Sequence, residues 1–135
     1  MGVFIDTSAF LAVLNRDDRC HDRANATWQS LITRDLGLIT TNYVTLETFA
    51  VAQHRHGIDA LRILRQDVLP VVDLEWVTPE DHGRGVEAVL AARRRELSLV
   101  DAVSFAVMRR LGLRAYFAFG PHFREQGFAP WKPGS

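Results

Sequence analysis

The sequence has 135 residues, with 16 basic and 16 acidic side chains and a formal net charge of zero. This length fits a single domain, residues 1–135, and electrical neutrality excludes a general attraction to nucleic acids or anionic membranes. The sequence has no apolar run of membrane-spanning length, no signal-peptide pattern at its start and a single cysteine, Cys20. We therefore expect a soluble cytoplasmic protein without membrane attachment.

Short apolar runs alternate with longer helical patterns along the chain. The first half predicts a strand, two helices, a strand and a helix over residues 2–5, 8–18, 21–35, 38–41 and 42–57. The second half predicts a helix, a strand, two helices and a strand over residues 58–69, 71–77, 78–97, 98–112 and 114–119, and a short edge strand in a tail that then frays. This alternation predicts a parallel sheet with helices on both faces.

Several helix ends and aromatic positions carry further predictions. Thr78, followed by a proline and by Asp81, is a strong helix start, although Gly83 and Gly85 weaken that helix. Trp28 lies on the apolar stripe of the second predicted helix. We expect both Trp28 and Trp76 to belong to the core.

Asp6 directly follows the first predicted strand, at the edge of the sheet where open α/β proteins bind ligands. An aspartate at this position is also a good N-cap for the next helix. Thr7 or Ser8 is able to provide that cap instead, which would leave the Asp6 carboxylate free for a ligand. Both interpretations are open at this point.

Glu47 lies within a predicted helix, and its neighbours three and four residues away are Tyr43, Val44, Ala50 and Val51. A carboxylate on such an apolar stripe pairs with a buried arginine, is protonated or binds a metal, because burying an unpaired charge is costly. A core ion pair and a metal site therefore explain Glu47 about equally well.

Asp101 follows Ser98 by three residues at the start of a predicted helix. This spacing predicts a capping box, in which the Asp101 carboxylate accepts a hydrogen bond from the Ser98 backbone amide. The first turn of this helix is also a suitable place for an acid at the mouth of a parallel sheet. Capping alone would explain Asp101.

Taken together, Asp6, Glu47 and Asp101 indicate a divalent cation site. Three carboxylates from separate elements, without histidine or cysteine partners, suit Mg²⁺ or Mn²⁺ and not zinc. Such a cation also binds phosphate oxygens. We expect the three carboxylates to converge on one pocket.

The chain resembles the PIN-domain nucleases, and among them the ribonuclease toxins of the VapC type. The resemblance covers essentially the whole chain and rests on four segments in order, FIDTSAFLAVL, TNYVTLETFAVAQHRHG, LSLVDAVSFAVMRRLG and AFGPHFREQGF. It implies a three-layer α/β/α domain with a central parallel sheet of four or five strands, and Mg²⁺- or Mn²⁺-dependent cleavage of RNA phosphodiester bonds. It also implies a homodimer and a cognate VapB-like antitoxin that silences the toxin.

The resemblance also assigns site residues by position. Asp6, Glu47 and Asp101 match the acidic metal ligands of the family, and Thr7 matches the hydroxyl beside the first acid, which is expected to orient Asp6 or a metal-bound water. Ser104 matches a polar position that often lines the same pocket.

Gly120 departs from the family pattern. The family commonly has an aspartate at this position, which supplies a fourth acid, and its loss predicts weak binding of Mg²⁺ and attenuated cleavage. His122, in the same segment, is expected to be structural.

Two rival interpretations remain. A catalytically silent PIN domain that serves as a binding partner is supported by Gly120. The second rival is a haloacid-dehalogenase-like phosphotransfer enzyme, whose helices are arranged around a parallel sheet in a similar way. Such enzymes usually have Asp-x-Asp after the first strand, where this chain has Asp6 followed by Thr7 and Ser8.

Overall fold

The computed structural model describes residues 2–133. Its five strands form one parallel sheet in the order β3-β2-β1-β4-β5. The strands are β1 (Gly2–Ile5), β2 (Gly37–Thr41), β3 (Asp73–Glu75), β4 (Ala115–Phe117) and β5 (Ala129–Pro130). Helices cover both faces, which confirms the predicted three-layer α/β/α architecture. The predicted edge strand is β5, while Gly134 and Ser135, at the end of the tail predicted to fray, lie outside the described residues.

The helices account for most of the remaining described chain. They are α1 (Thr7–Leu14), α2 (His21–Thr33), α3 (Asn42–His56), α4 (Ile58–Ile63), α5 (Pro79–Ala92), α6 (Leu99–Leu111) and α7 (His122–Glu125). Among residues 2–133, no helix combines the length and apolar character needed to cross a lipid bilayer.

Strand β1 lies at the centre of the sheet, which explains why its sequence is apolar without alternation. Phe4 is paired with Ile39 on one side and with Tyr116 on the other, and neither Phe4 nor Ile5 is exposed. A parallel strand that is covered on both faces has to be apolar at every position. The Phe4 ring continues into an aromatic cluster around Phe123, which holds α7 against the sheet.

The carboxyl ends of β1, β2 and β4 are tied together by hydrogen bonds. The Thr40 hydroxyl donates to the Ile5 carbonyl at 2.7 Å, and the Asp6 amide donates to the Phe117 carbonyl at 3.1 Å. Thr41 caps α3 by accepting a hydrogen bond from the Val44 amide. The backbone around Asp6 is therefore fixed by both neighbouring strands.

Several predicted elements are shorter or more irregular than the sequence indicates, and the strand predicted over 114–119 is reduced to residues 115–117 of β4. Helix α1 ends at Leu14, because the Asn15 side chain accepts a hydrogen bond from the Asp17 amide and begins a turn. Beyond α4 the chain forms a π-helical turn over residues 64–68 and a 3₁₀ turn over residues 69–71, which shortens β3. Helix α5 ends five residues early because Arg93 adopts a left-handed conformation with φ +54°.

The prediction for the tryptophans was half right. Trp28 is buried against Phe10, as its place on the helical stripe indicates. Trp76 is 67% exposed, so its assignment to the core was wrong. Trp76 lies just beyond the three-residue strand β3, at the exposed edge of the sheet. The apolar sequence around it does not reveal that this edge is exposed.

The predicted helix start at Thr78 is confirmed as a complete capping box with Asp81. Asp81 is buried and also accepts hydrogen bonds of 2.9 to 3.2 Å from Arg110 of α6. Burial on its own would raise the pKa of Asp81, but the hydrogen bonds from Arg110 and Thr78 outweigh it, and the pKa is lowered. This pair joins α5 to α6.

The two glycines of α5 differ in their surroundings and give a matched pair of substitutions. A Cβ atom on Gly85 would clash with the Val103 side chain and would lie 3.1 Å from the Val103 amide nitrogen, whereas a Cβ on Gly83 would meet nothing within 4 Å. Gly85→Ala is therefore expected to lower the free energy of unfolding by about 1–3 kcal/mol through overpacking against α6. Gly83→Ala is expected to raise it by up to about 1 kcal/mol through helix propensity.

Urea unfolding of the two variants measures both effects. Equal destabilisation by the two substitutions would contradict the close approach of α5 and α6 at Gly85.

Candidate active site

Asp6 lies at the end of β1 and is the N-cap of α1, so one of the two interpretations of Asp6 is confirmed. Its Oδ2 atom accepts hydrogen bonds from the Ser8 amide at 3.3 Å and from the Ser8 hydroxyl at 2.9 Å. Its Oδ1 atom is the one buried side-chain nitrogen or oxygen in residues 2–133 that has no hydrogen-bond partner. Because buried polar atoms are nearly always satisfied, an orphaned carboxylate oxygen is a sign of a missing ligand.

The protonation of Asp6 is strongly perturbed. Burial raises its pKa, and the negative charge of Asp101 raises it further. The hydrogen bonds from Ser8 and from the Thr7 backbone act in the opposite direction but are outweighed, and the pKa is about 6. Asp6 and Asp101 are therefore near enough in the fold for the charge of one to act on the other, although they are far apart in the sequence.

Only half of the capping box that the sequence predicts at Asp101 is present. The Asp101 amide donates to the Ser98 hydroxyl at 3.0 Å, which is one half of the predicted capping box. The other half is replaced, because Oδ2 of Asp101 lies 3.1 Å from Nδ1 of His122 in place of the Ser98 amide. The Asp101 side chain is 19% exposed, so this carboxylate is accessible to solvent beside the buried one.

His122 and Ser8 are two residues that sequence reasoning did not assign to the site. His122 was expected to be structural, and it contacts one site acid while Ser8 contacts the other. The signal for Ser8 was present, since it lies two residues after Asp6. The contact of His122 depends on α7, a helix of four residues that the sequence analysis did not predict.

The loop of residues 118–121, between β4 and α7, is tied to both acids. The Phe119 amide donates to the Ser8 hydroxyl at 2.9 Å, and His122, directly after the loop, contacts Asp101. Gly120 lies between these two attachments, is exposed and has φ +98°. The position predicted for the missing fourth acid is therefore next to the two acids that come together.

Glu47 is half-buried on α3 and takes part in none of the ion pairs formed within residues 2–133. Its alternative explanation, a core ion pair, is therefore wrong for the described part of the chain. In that same part no three histidine, cysteine, aspartate or glutamate side chains are arranged to hold a metal ion. The convergence of Glu47 with Asp6 and Asp101 stays a prediction.

Thr7 and Ser104 use their hydroxyl groups elsewhere. The buried Thr7 hydroxyl lies 3.4 Å from the Val44 carbonyl and 3.4 Å from the Thr48 hydroxyl, both on α3, so the hydroxyl that orients Asp6 is that of Ser8. The buried Ser104 hydroxyl donates to the Val100 carbonyl at 2.8 Å. A role of either residue in catalysis stays a prediction.

The donor set that is assembled suits a hard divalent cation. Mg²⁺ is commonly held in proteins by one or two carboxylates together with waters and substrate phosphates. The orphaned Oδ1 of Asp6 and the adjacent Asp101 carboxylate provide such oxygen ligands. A cation beside them would also offset the repulsion that raises the pKa of Asp6.

Known proteins share the sequence and fold of this chain. Residues 3–129 match the PIN domain family. The chain is 33% identical over 135 residues to the 23S rRNA-specific endonuclease VapC20 of Mycobacterium tuberculosis, in the strains CDC 1551 / Oshkosh and H37Rv, covering 97% of this chain and 98% of VapC20.

Two solved structures extend this comparison. The crystal structure of Mycobacterium tuberculosis VapC20, described as a sarcin-ricin loop cleaving toxin, has a TM-score of 0.85 and 32% identity, covering 97% of this chain and 99% of that one. FitAcB from Neisseria gonorrhoeae has a TM-score of 0.70 at 17% identity, with 98% of each chain covered, and shares the fold. The chain therefore belongs to the PIN-domain family and, within it, to the VapC proteins.

Proposed function

We propose that this protein is a metal-dependent endoribonuclease that acts as the toxin of a toxin–antitoxin pair and hydrolyses RNA phosphodiester bonds. One observation carries the proposal: the buried Asp6 carboxylate, with its orphaned Oδ1, lies beside Asp101 at the carboxyl edge of a PIN-domain sheet. The 33% identity to a 23S rRNA-specific endonuclease supports RNA as the substrate.

The residues at the site have distinct roles in this proposal. Asp6 and Asp101 would hold Mg²⁺ or Mn²⁺, with Glu47 as a third proposed ligand. Such a cation, when bound, neutralises charge on the scissile phosphate and lowers the pKa of water. Ser8 engages Oδ2 of Asp6 and leaves Oδ1 without a competing partner, while His122 fixes the Asp101 carboxylate.

The proposed protein partners are a cognate antitoxin and a second copy of the chain. Large apolar side chains are exposed around α3, α4, β3 and α5, and those at least 49% exposed are Leu46, Ile58, Ile63, Val71, Trp76 and Leu90. A contiguous patch of such side chains marks a protein–protein interface, and we propose that these residues form one. We expect an antitoxin segment to place an arginine or lysine beside Asp6 and Asp101, because guanidinium and ammonium groups bind carboxylates.

A catalytically silent PIN domain is the second candidate function. Gly120 favours it, because the family commonly has an acid at this position, next to the paired carboxylates. A silent domain would keep the fold and the partner surfaces but would cleave no RNA at any metal concentration.

Cleavage of single-stranded RNA by purified, antitoxin-free protein tests the proposal. We expect cleavage with Mn²⁺, slower cleavage with Mg²⁺ and none with EDTA. Asp6→Asn and Asp101→Asn should each lower the rate by about 100-fold or more, since losing even an outer-shell partner of a metal ligand costs about 10–100-fold. Asp59→Asn is the matched control, because the Asp59 side chain is 92% exposed on α4 and should leave the rate unchanged.

Two outcomes would decide against this function. Cleavage that persists in EDTA would contradict the metal dependence. A wild-type protein that binds partners but cleaves no RNA with either metal would favour the silent domain.

A further inference from the structure

A cavity of about 350 Å³ is lined in part by Phe119 and Gly120, in the loop after β4, and we call it the basic pocket. It is enclosed by the amino-terminal half of α2, the end of β4 with the loop after it, and the chain around β5. Its lining residues are Arg23, Thr27, Tyr116, Phe117, Ala118, Phe119, Gly120, Arg124, Pro130, Trp131 and Lys132.

The charge of the basic pocket is entirely of one sign. Arg23, Arg124 and Lys132 are exposed cations, and no aspartate or glutamate is among the lining residues that the structure describes. None of the three takes part in an ion pair within residues 2–133. The chain as a whole is neutral, so this local concentration of positive charge would favour the binding of an anion.

Aromatic rings accompany these cations. The Arg23 guanidinium lies over the Phe119 ring, 5.3 Å from its centroid, which fixes its plane while its N–H groups stay available as donors. Trp131 is partly buried, and its amide donates to the Tyr116 carbonyl at 2.8 Å, which anchors it beside β4. The Arg34 guanidinium lies over the Trp131 ring, 5.9 Å from its centroid, so only the remaining ring surface that lines the pocket is available to a ligand. A tryptophan held in this way offers a flat surface on which a nucleic-acid base can stack.

The loop after β4 that lines the basic pocket is also connected to the paired acids Asp6 and Asp101. Phe119 and Gly120 line the pocket, and the Phe119 amide donates to the Ser8 hydroxyl that in turn donates to Asp6. A phosphate bound at Asp6 and Asp101 would therefore have the pocket as its immediate neighbour. A volume of about 350 Å³ is at the small end of ligand sites, which suits one nucleotide.

We propose that the basic pocket binds one nucleotide of single-stranded RNA next to the scissile phosphate. Its base stacks on Trp131, and its phosphate is bound by Arg23, Arg124 and Lys132. This inference rests on the proposed function, because it takes the paired acids as the place of cleavage. An acidic peptide of a protein partner is the competing occupant, but its carboxylates would not stack on the Trp131 ring as a nucleic-acid base does.

Binding of a fluorescein-labelled single-stranded oligoribonucleotide, followed by fluorescence anisotropy in EDTA, tests the pocket without any cleavage. Arg23→Gln and Lys132→Gln should each weaken binding about three- to tenfold. Each should also make the salt dependence less steep, reducing the magnitude of the slope of log affinity against log salt by about one. Trp131→Ala should weaken binding about tenfold, whereas Trp131→Phe should stay near wild type because it keeps a stacking ring. Arg62→Gln removes the same charge outside the pocket, from an arginine already paired with Asp59, and should have little effect.

The outcomes separate the pocket from the proposed function. RNA affinity unchanged in Arg23→Gln and Lys132→Gln overturns the pocket, even if the wild type cleaves RNA. Weakened binding in these variants supports the pocket, even if the wild type cleaves nothing and the proposed function fails. Displacement of the oligoribonucleotide by a poly-glutamate peptide more readily than by unlabelled RNA would overturn RNA as the occupant. The exposed arginine and lysine variants keep the test valid should Trp131→Ala fail to fold.

Discussion

Asp6→Asn is expected to stabilise the metal-free protein at neutral pH by about 3 kcal/mol, although it removes a residue proposed to be essential for activity. The pKa of Asp6 is about 6 in the fold and 3.8 ordinarily. Below about pH 3 the carboxyl is largely protonated in both the folded and the unfolded protein. As the pH rises from about 3 through 6, the unfolded state releases this proton first, so the wild type loses stability and stays less stable at higher pH. Asparagine resembles the protonated side chain at every pH and avoids this loss.

Urea unfolding in EDTA at pH 4 and pH 7.5 measures the effect. The gain in unfolding free energy from Asp6→Asn should be about 0.5 kcal/mol at pH 4 and about 3 kcal/mol at pH 7.5, while Asp59→Asn should show no such dependence. Adding Mn²⁺ at 100 times its dissociation constant should stabilise the wild type by about 2.7 kcal/mol and leave Asp6→Asn unchanged. An Asp6→Asn variant that is less stable than the wild type at pH 7.5 in EDTA would contradict the claim that ionisation of the buried Asp6 carboxyl destabilises the metal-free fold.

Gly120→Asp is expected to raise the affinity for Mn²⁺ by about 10–100-fold and to increase the rate of cleavage. The loop that carries Gly120 is tied to Ser8 on one side and, through His122, to Asp101 on the other. A Cβ at this position meets nothing within 4 Å, so the new carboxylate has room beside the paired acids. However, φ is +98° there, so any side chain costs about 1–3 kcal/mol of backbone strain.

Gly120→Asn separates these two effects, because asparagine has the same shape and the same strain without the charge. Both variants should lose similar unfolding free energy, and only Gly120→Asp should bind Mn²⁺ more tightly in a calorimetric titration. Equal Mn²⁺ affinity in Gly120→Asp and Gly120→Asn would show that position 120 does not replace a lost ligand.

The parts of the fold that depend on burial were predictable from the sequence. The apolar run at Gly2–Ile5 and the alternation of strands with helices indicate a covered parallel sheet, and β1 is indeed its central strand. Elements that depend on packing at an edge were not predictable in this way. Trp76 and the short strand β3 lie at the exposed edge of the sheet, and a four-residue helix such as α7 has too few residues to show a period.

The same distinction holds at the site. Asp6 and Asp101 were predictable because both lie next to strand or helix ends that a parallel sheet brings together. The choice between the neighbouring hydroxyls of Thr7 and Ser8 was not, because it depends on the orientation of α1 toward α3. The contact of His122 with Asp101 depends on the path of the chain after β4, which the sequence pattern does not reveal.

The central claim is that a divalent cation binds at Asp6 and Asp101, and crystals of the wild type grown with Mn²⁺ test it most directly. Anomalous difference density should show a Mn²⁺ peak in contact with Oδ1 of Asp6 and with the Asp101 carboxylate, and the same map would show whether Glu47 is a third ligand. The peak should be absent from crystals of Asp6→Asn grown in the same way. A map of the wild type without Mn²⁺ at these two carboxylates, or with Mn²⁺ bound only elsewhere, would contradict the account.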